Sequence, residues 1–277
     1  MSRRSVMALG AVVGLAWTGL AAAQGRFKMQ TVTPLGATRQ GWSFQAFSNG
    51  DLVGILRKGT NNKTEVHVLS ASHNYQRFIH QTETALGVSD DTWDFVALPS
   101  RDLMAINRKG GSARADVHIL DAGKDYKAFK LQIATPLQAN DRRWSFGANG
   151  SSDLVCINRL GESGKTEVHV LDGSRKYDKF KVQAVSALPA TDSGWDFGVV
   201  SSGDVVGIKR RGESGKTELH VLEAGAGYGR FKRQAPTPLE AADDTWRFAV
   251  AGNGDVLAVL TREENAGKTE VNVFGST

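Results

Sequence analysis

Apolar residues along this chain come in short runs cut by polar turns, and no run keeps a helical period. In the stretch 129–177, Phe129, Leu131, Ile133 and Leu137 are spaced by polar or small residues, and Trp144 and Phe146 bracket a serine. Leu154 to Ile157 form a continuous run behind Asp153, and Val168, Val170 and Leu171 alternate with Glu167 and His169. Alternation marks a strand with one buried face, and a short unbroken β-branched run marks one covered on both. Turn residues Asn149 to Ser152 and Gly161 to Gly164 separate these segments. Each run stops after about six residues, near the usual strand length. Four strands and no helix are predicted for this stretch.

The same pattern returns every 51 residues: Trp42, Trp93, Trp144, Trp195 and Trp246 keep that step, as do Phe27, Phe78, Phe129, Phe180 and Phe231, and Asp51, Asp102, Asp153, Asp204 and Asp255. The chain is a fivefold internal repeat, and units of this kind bury their apolar faces only against their neighbours. Four antiparallel strands per unit, with large aromatics and almost no helix, predict an all-β fold, a five-bladed β-propeller. It should occupy residues 24–277, with repeats beginning near the five phenylalanines. The ends support a ring over a linear solenoid. The last copy stops at Thr269 to Phe274 without its fourth strand, while Phe27 to Leu35 supplies that strand at the other end. Pairing the two closes the ring and removes an exposed sheet edge.

Residues 1–23 change the picture. Arg3 and Arg4, the uncharged stretch Ser5 to Ala23 and the small residues Ala21, Ala22 and Ala23 before Gln24 read as a signal peptide, so the mature protein is expected to be secreted or periplasmic. The apolar part is short and glycine-rich for a membrane helix, and no later segment is apolar enough to insert stably. Arg3-Arg4 within Ser2 to Met7 resembles a twin-arginine export signal; general secretion is the favoured route. Without these arginines the formal charge falls from +5 to +3. The remaining basic residues recur in every repeat, with no concentrated stripe for nucleic acid. The single cysteine, Cys156, aligns with Gly54, Ala105, Gly207 and Ala258, which predicts a small buried packing residue and no disulfide.

Three motifs invite chemistry. Gly161-Glu162-Ser163-Gly164-Lys165-Thr166 and Gly212-Glu213-Ser214-Gly215-Lys216-Thr217 look like phosphate loops, but the required earlier glycine is Arg159 or Arg210 and a strand should follow where a helix is needed. Trp93-Asp94 and Trp195-Asp196 match the dipeptide of WD40 repeats, yet the other copies read Trp-Ser or Trp-Arg and the matching Gly-His is missing. His67, His118, His169 and His220 each follow an acid by two residues, with Asn272 in the fifth copy. That spacing puts acid and histidine on one strand face. Structural hydrogen-bonded pairs are expected, and no metal.

Ser48 to Ile55, Lys63 to Ser70 and the spacing Tyr75, Phe78, Gln81, Thr82 resemble the repeats of secreted microbial β-propeller modules related to FG-GAP or VCBS repeats. In blade number and size the chain also resembles five-bladed tachylectin-type lectins. That resemblance implies a secreted binding module. FG-GAP repeats often bind calcium through an Asp-x-Asp-x-Asp-Gly loop; the loops here carry one carboxylate at most, so no cofactor is expected.

In a ring of this build, the loops entering each inner strand share a face with the loops joining second and third strands. The first set carries Asp90, Asp141, Asp192 and Asp243, each three residues before a repeated tryptophan, with Arg39 in the first copy; the second carries Lys63, Arg114, Lys165, Lys216 and Lys268. Carboxylates, cations and aromatic edges together suit a carbohydrate. The candidate carbohydrate-binding residues are Asp90, Trp93, Asp141, Trp144, Asp192, Trp195, Asp243, Trp246, Lys165 and Lys216, with glycans or glycoconjugates as partners. A propeller for protein interaction or support is the alternative, since fold does not fix function. An enzyme is the least favoured reading, because a glycosidase needs paired carboxylates in one unique funnel and nearly every acid here has equivalents in other repeats.

Overall fold

A computed structural model describes residues 26–263 and 267–276; the signal-peptide reading lies outside them. A short strand, β1 (Met29–Val32), precedes the first full blade of β2 (Trp42–Ala46), β3 (Leu52–Leu56), β4 (Lys63–Leu69) and β5 (Phe78–Gly87). The second blade is β6 (Trp93–Ala97), β7 (Leu103–Asn107), β8 (Arg114–Leu120) and β9 (Phe129–Gln138). The third is β10 (Trp144–Ala148), β11 (Leu154–Asn158), β12 (Lys165–Leu171) and β13 (Phe180–Pro189). The fourth is β14 (Trp195–Val199), β15 (Val205–Lys209), β16 (Lys216–Leu222) and β17 (Phe231–Glu240). The fifth runs β18 (Trp246–Val250), β19 (Asp255–Leu260), β20 (Glu270–Gly275) and takes β1 as its outermost strand.

All five sheets are four-stranded and antiparallel. The inner strands β2, β6, β10, β14 and β18 meet in that order and β18 returns to β2, so the blades form a closed five-bladed ring. Closure follows the expected register: Gln30 lies opposite Asn272 and Val32 opposite Glu270. Gln30 Nε2 donates to Asn272 Oδ1 at 2.8 Å, the same link that Gln81 makes to His67 Nδ1 at 3.0 Å within the first blade. Fold class, blade count and closure all agree with the sequence reading.

The core lies between blades. One cluster joins Met104, Ile106 and Val117 of the second blade to Phe146, Leu154 and Leu171 of the third; another joins Leu257, Val259 and Val271 of the fifth to Phe44, Leu52 and Leu69 of the first. Each of the five repeated tryptophans lies half-buried on such a cluster. The small residue of each second strand makes room for it: a Cβ on Gly54 would stand 3.0 Å from the Trp42 ring. Cys156 fills that site in the third blade, fully buried, and burial pushes its thiol pKa up.

One feature differs from the sequence reading. A 3-10 turn of three residues follows the third strand of each of the first four blades, at Ala71–His73, Ala122–Lys124, Gly173–Arg175 and Ala224–Ala226. Its first N–H donates to the recurrent aspartate: Ala71 to Asp51, Ala122 to Asp102, Gly173 to Asp153 and Ala224 to Asp204, at 2.8–3.0 Å. The aspartate thus ties the turn to the hairpin between first and second strands. Behind it, the hydroxyls of Tyr75, Tyr126, Tyr177 and Tyr228 donate to the hairpin carbonyls of Gly50, Arg101, Ser152 and Gly203. In the fifth blade Ser276 Oγ makes the equivalent bond to Gly254.

Candidate functional site

The two loop sets assigned to one face do meet there: Ser89 N donates to Arg57 O, and Thr191 N to Arg159 O. Asp90, Asp141, Asp192 and Asp243 are exposed. Each closes an Asx turn, its Oδ1 accepting the N–H two residues on: Thr92, Arg143, Gly194 and Thr245, at 2.8–2.9 Å. The turn supplies a structural reason for their recurrence. Hydrogen bonds from the side chain and backbone of Thr92 hold Asp90 below the usual carboxylate range, and Thr245 does the same for Asp243. Asp141 is also engaged by Arg143, whose Nε lies 2.8 Å from Oδ2. In Asp192, Oδ2 points free of any hydrogen bond to the described residues.

Two clefts bring some of the candidates together. One of ≈ 570 Å³ is lined by Asp141, Asp192, Trp195 and Arg159; the next, of ≈ 930 Å³, by Asp192, Trp195, Asp243 and Arg210. Trp195 is the shared wall, and Lys209 Nζ stands 6.0 Å from its ring centre. Lys165 and Lys216 do not line these clefts. They open the strands β12 and β16 at the rim, where Lys216 Nζ lies 3.5 Å from Glu240. The cations in the clefts are arginines and Lys209 instead. Trp93 and Trp144 face the ring axis, and Trp246 packs into the core between fourth and fifth blades.

The histidines lie between aromatic rings. His67 is 5.0 Å from Trp42 and 6.1 Å from Phe78, centre to centre, and the other three copies repeat this. With Gln81 donating to Nδ1, the proton belongs on Nε2, which donates to Glu65 at 3.2 Å. Burial lowers the pKa of His67, His118 and His220, partly opposed by the neighbouring acid. These are neutral packing groups. Among the described residues, no three His, Cys, Asp or Glu side chains are grouped to hold a metal.

Sequence reasoning missed the mouth of the ring axis. Arg57, Arg108, Arg159 and Arg210 follow the 51-residue step, with Thr261 in the fifth copy. Arg57, Arg159 and Arg210 lean across to the next blade, whereas Arg108 donates to Asp91 O and pairs with Asp94 within its own. Arg57 Nη1 donates to Asp90 O and Trp93 O, Arg159 Nη1 to Asp192 O at 2.6 Å, and Arg210 Nη1 to Asp243 O and Trp246 O. Arg57, Arg159 and Arg210 each lie 5.4 Å from the centre of a phenylalanine ring of that next blade, Phe95, Phe197 and Phe248. Such contacts orient the guanidinium groups toward the axis. Beside them, the residue after each tryptophan reads Ser43, Asp94, Ser145, Asp196 and Arg247 around the ring. Arg108 Nε sits 3.0 Å from Asp94 and Arg210 Nε 2.7 Å from Asp196, whereas Arg57 and Arg159 meet only Ser43 and Ser145. The mouth encloses ≈ 470 Å³. Its floor of Gln45, Phe146, Phe197 and Phe248 narrows below to ≈ 40 Å³ among Ala46, Ala97, Gly147 and Val250. It is a cup that tapers along the axis.

No family profile matches this chain, and no curated protein sequence does. Among solved structures it is similar to regucalcin, a calcium-binding protein from Agrobacterium tumefaciens, at 12% identity over 91% of this chain and 95% of that one, TM-score 0.43. It is also similar to the WD40 domain of Toxoplasma gondii coronin, at 11% identity, 85% and 56% coverage and TM-score 0.42. An exo-β-1,3-galactanase from Phanerochaete chrysosporium aligns at 11% identity, with 89% and 64% coverage and TM-score 0.50. The chain therefore spans less than two thirds of the length of the last two. At these identities the likeness concerns the fold, a β-propeller, and nothing finer.

Proposed function

We propose that the chain is a secreted, lectin-like propeller that binds carbohydrate in the clefts between blades, in the manner of tachylectin-type modules. The observation that carries the reading is the cleft shared by Asp141, Asp192, Trp195 and Arg159. It offers an uncommitted carboxylate oxygen, guanidinium donors and an aromatic edge in one ≈ 570 Å³ space. Sugars need that set: hydroxyls accept and donate to ionised groups while their C–H face lies on a ring. Several weak sites on one face would gain avidity on a glycan-coated surface. Binding without turnover is supported by the ion pairs of the axial carboxylates, since Asp94 lies 3.0 Å from Arg108 Nε and Asp196 2.7 Å from Arg210 Nε, with burial pushing the Asp94 pKa up against its arginines.

Asp192→Asn is the sharpest test. It keeps an oxygen for the Gly194 N–H, so the turn and the melting temperature should hold within about 1 kcal/mol of stability. It removes the charge of the free oxygen, and losing a charge-assisted hydrogen bond of about 1.5–3 kcal/mol should weaken a glycan found on an array about tenfold or more. Unchanged affinity in Asp192→Asn would remove this cleft as the site. Release of smaller sugars from the bound glycan would show an enzyme instead.

A further inference from the structure

We infer that the axial mouth, independently of the clefts, is a binding site for the oxyanion of one small ligand, held by Arg57, Arg159 and Arg247 with Ser43 and Ser145. Charge is the first ground. Besides Arg142, which is already paired with Asp91, four arginines line the mouth, Arg57, Arg108, Arg159 and Arg247, with two carboxylates, Asp94 and Asp196, and Arg210 pairs with Asp196 from the neighbouring cleft. The excess is local. It arises where the repeat places serine in the first and third blades and arginine in the fifth, at the position that carries aspartate in the second and fourth.

The second ground is an orphaned donor. Arg108 Nε and Arg210 Nε each lie within ion-pair distance of a carboxylate oxygen, 3.0 Å from Asp94 and 2.7 Å from Asp196, although Arg108 Nε and both of those oxygens lack hydrogen-bond geometry. Arg159 Nε is buried with neither an ion pair nor a hydrogen-bond partner among the described residues. The equivalent partner is Ser145, which reaches only Nη2, at 3.1 Å. A buried N–H of a charged group left unmade costs about 1–3 kcal/mol or more, so a carboxylate, sulfate or phosphate oxygen arriving there recovers it. Burial lowers the proton affinity of Arg57, Arg159 and Arg247, a neighbouring arginine adds to this (Arg108 for Arg57, Arg210 for the other two), and the nearby aspartates Asp94 and Asp196 only partly oppose it. An anion reverses that penalty.

Shape is the third. The cup is ≈ 470 Å³, large enough for a monosaccharide-sized ligand, and the ≈ 40 Å³ space beneath it is too narrow for that ligand to pass further along the axis. Its guanidinium groups are fixed beforehand by carbonyl bonds and phenylalanine rings, so little ordering remains to oppose binding. The same chemistry suits an acidic sugar or a free inorganic oxyanion.

The test uses the mature chain with sodium sulfate, glucuronate and glucose, against chloride at matched ionic strength, by calorimetry and thermal shift. Sulfate or glucuronate should bind at one equivalent per chain and raise the melting temperature, while glucose and chloride should not act at this site. Glucuronate binding tenfold tighter than sulfate would identify an acidic sugar as the source of the anion, and equal affinities a free oxyanion. Ser145→Asp copies the second and fourth blades into the third and supplies the missing carboxylate from within. It should melt higher than the parent without ligand and weaken anion binding tenfold or more; Arg159→Gln should weaken it similarly. The site is disproved if neither anion exceeds chloride, or if Ser145→Asp folds and binds them as before. Loss of glucuronate binding in Asp192→Asn but not in Ser145→Asp would place the anion in the interblade cleft and overturn the axial site.

Discussion

Asp153 shows how one side chain holds a blade corner. Its carboxylate is almost wholly buried, accepts from Asn149 Nδ2 and Gly173 N, and pairs with Lys181 at 3.0 Å. Burial alone would raise its pKa, but the hydrogen bonds from Asn149, Gly173 and Lys181 outweigh it and hold the group below its ordinary value of 3.8. A carboxyl held low contributes stability above that value and loses it as pH falls. Asp153→Ala strands the Gly173 N–H, and we expect a cost of about 2 kcal/mol, or about 4–8 °C in melting temperature for a domain of this size. Lys181→Met breaks only an exposed partner and should cost about 1 kcal/mol at most. The reverse order, measured by thermal denaturation, would assign the corner to the ion pair. At the alkaline end the four tyrosines report together, because the chain contains no others. Burial raises Tyr126, Tyr177 and Tyr228 from 10.0 to about 12, and Tyr75 further. A raised phenol contributes stability below the unfolded value of 10.0 and loses it as pH climbs toward the folded one. Tyrosinate absorbance should therefore stay low through pH 10–11 in the native protein and appear with unfolding. Titration near pH 10 in folded protein would contradict the Tyr-to-carbonyl bonds.

Among the elements, β1 is the one whose removal separates closure from blade stability. Without residues 26–35, β20 presents a bare edge with Val271 and Val273 beside it, and such edges pair with other chains. The truncated protein should aggregate on size-exclusion chromatography, and a peptide of residues 26–35 added in trans should restore a single monomeric peak. A truncated chain that stays monomeric would show that β1 is dispensable. Strands, blade count and this closure were all legible in the sequence because each rests on a period, and a period survives any detail of packing. Direction does not. Arg57, Arg108, Arg159 and Arg210 repeat as visibly as the tryptophans, yet only the coordinates show that they converge on one axis; Arg159 and Arg210 entered the sequence reading merely as residues that spoil a phosphate loop. Lys165 and Lys216 went astray for the same reason, since sharing a face with the aspartates did not bring them into the same cleft. The 3-10 turns escaped notice because three residues such as Ala71, Ser72 and His73 are too few to show any period.

For the whole molecule, the ring is nearly symmetric everywhere except its mouth, where serine, aspartate, serine, aspartate and arginine succeed one another. Blade cores repeat because they solve one packing problem five times. The axis is shared by all blades, so a change there alters one joint surface and not a packing layer repeated five times; that is where unequal residues can accumulate a function. The pairing of β1 with β20 has its own consequence, in time. Gln30 leaves the ribosome 242 residues ahead of Asn272, and at about 5–20 residues per second that interval is on the order of 10–50 s. For all of it β1 belongs to no sheet. Four blades can assemble in turn as the chain is made, but β1 waits for β20, so sealing the ring is expected to be the final event of folding, and a strand made before the first blade is the last to find its place.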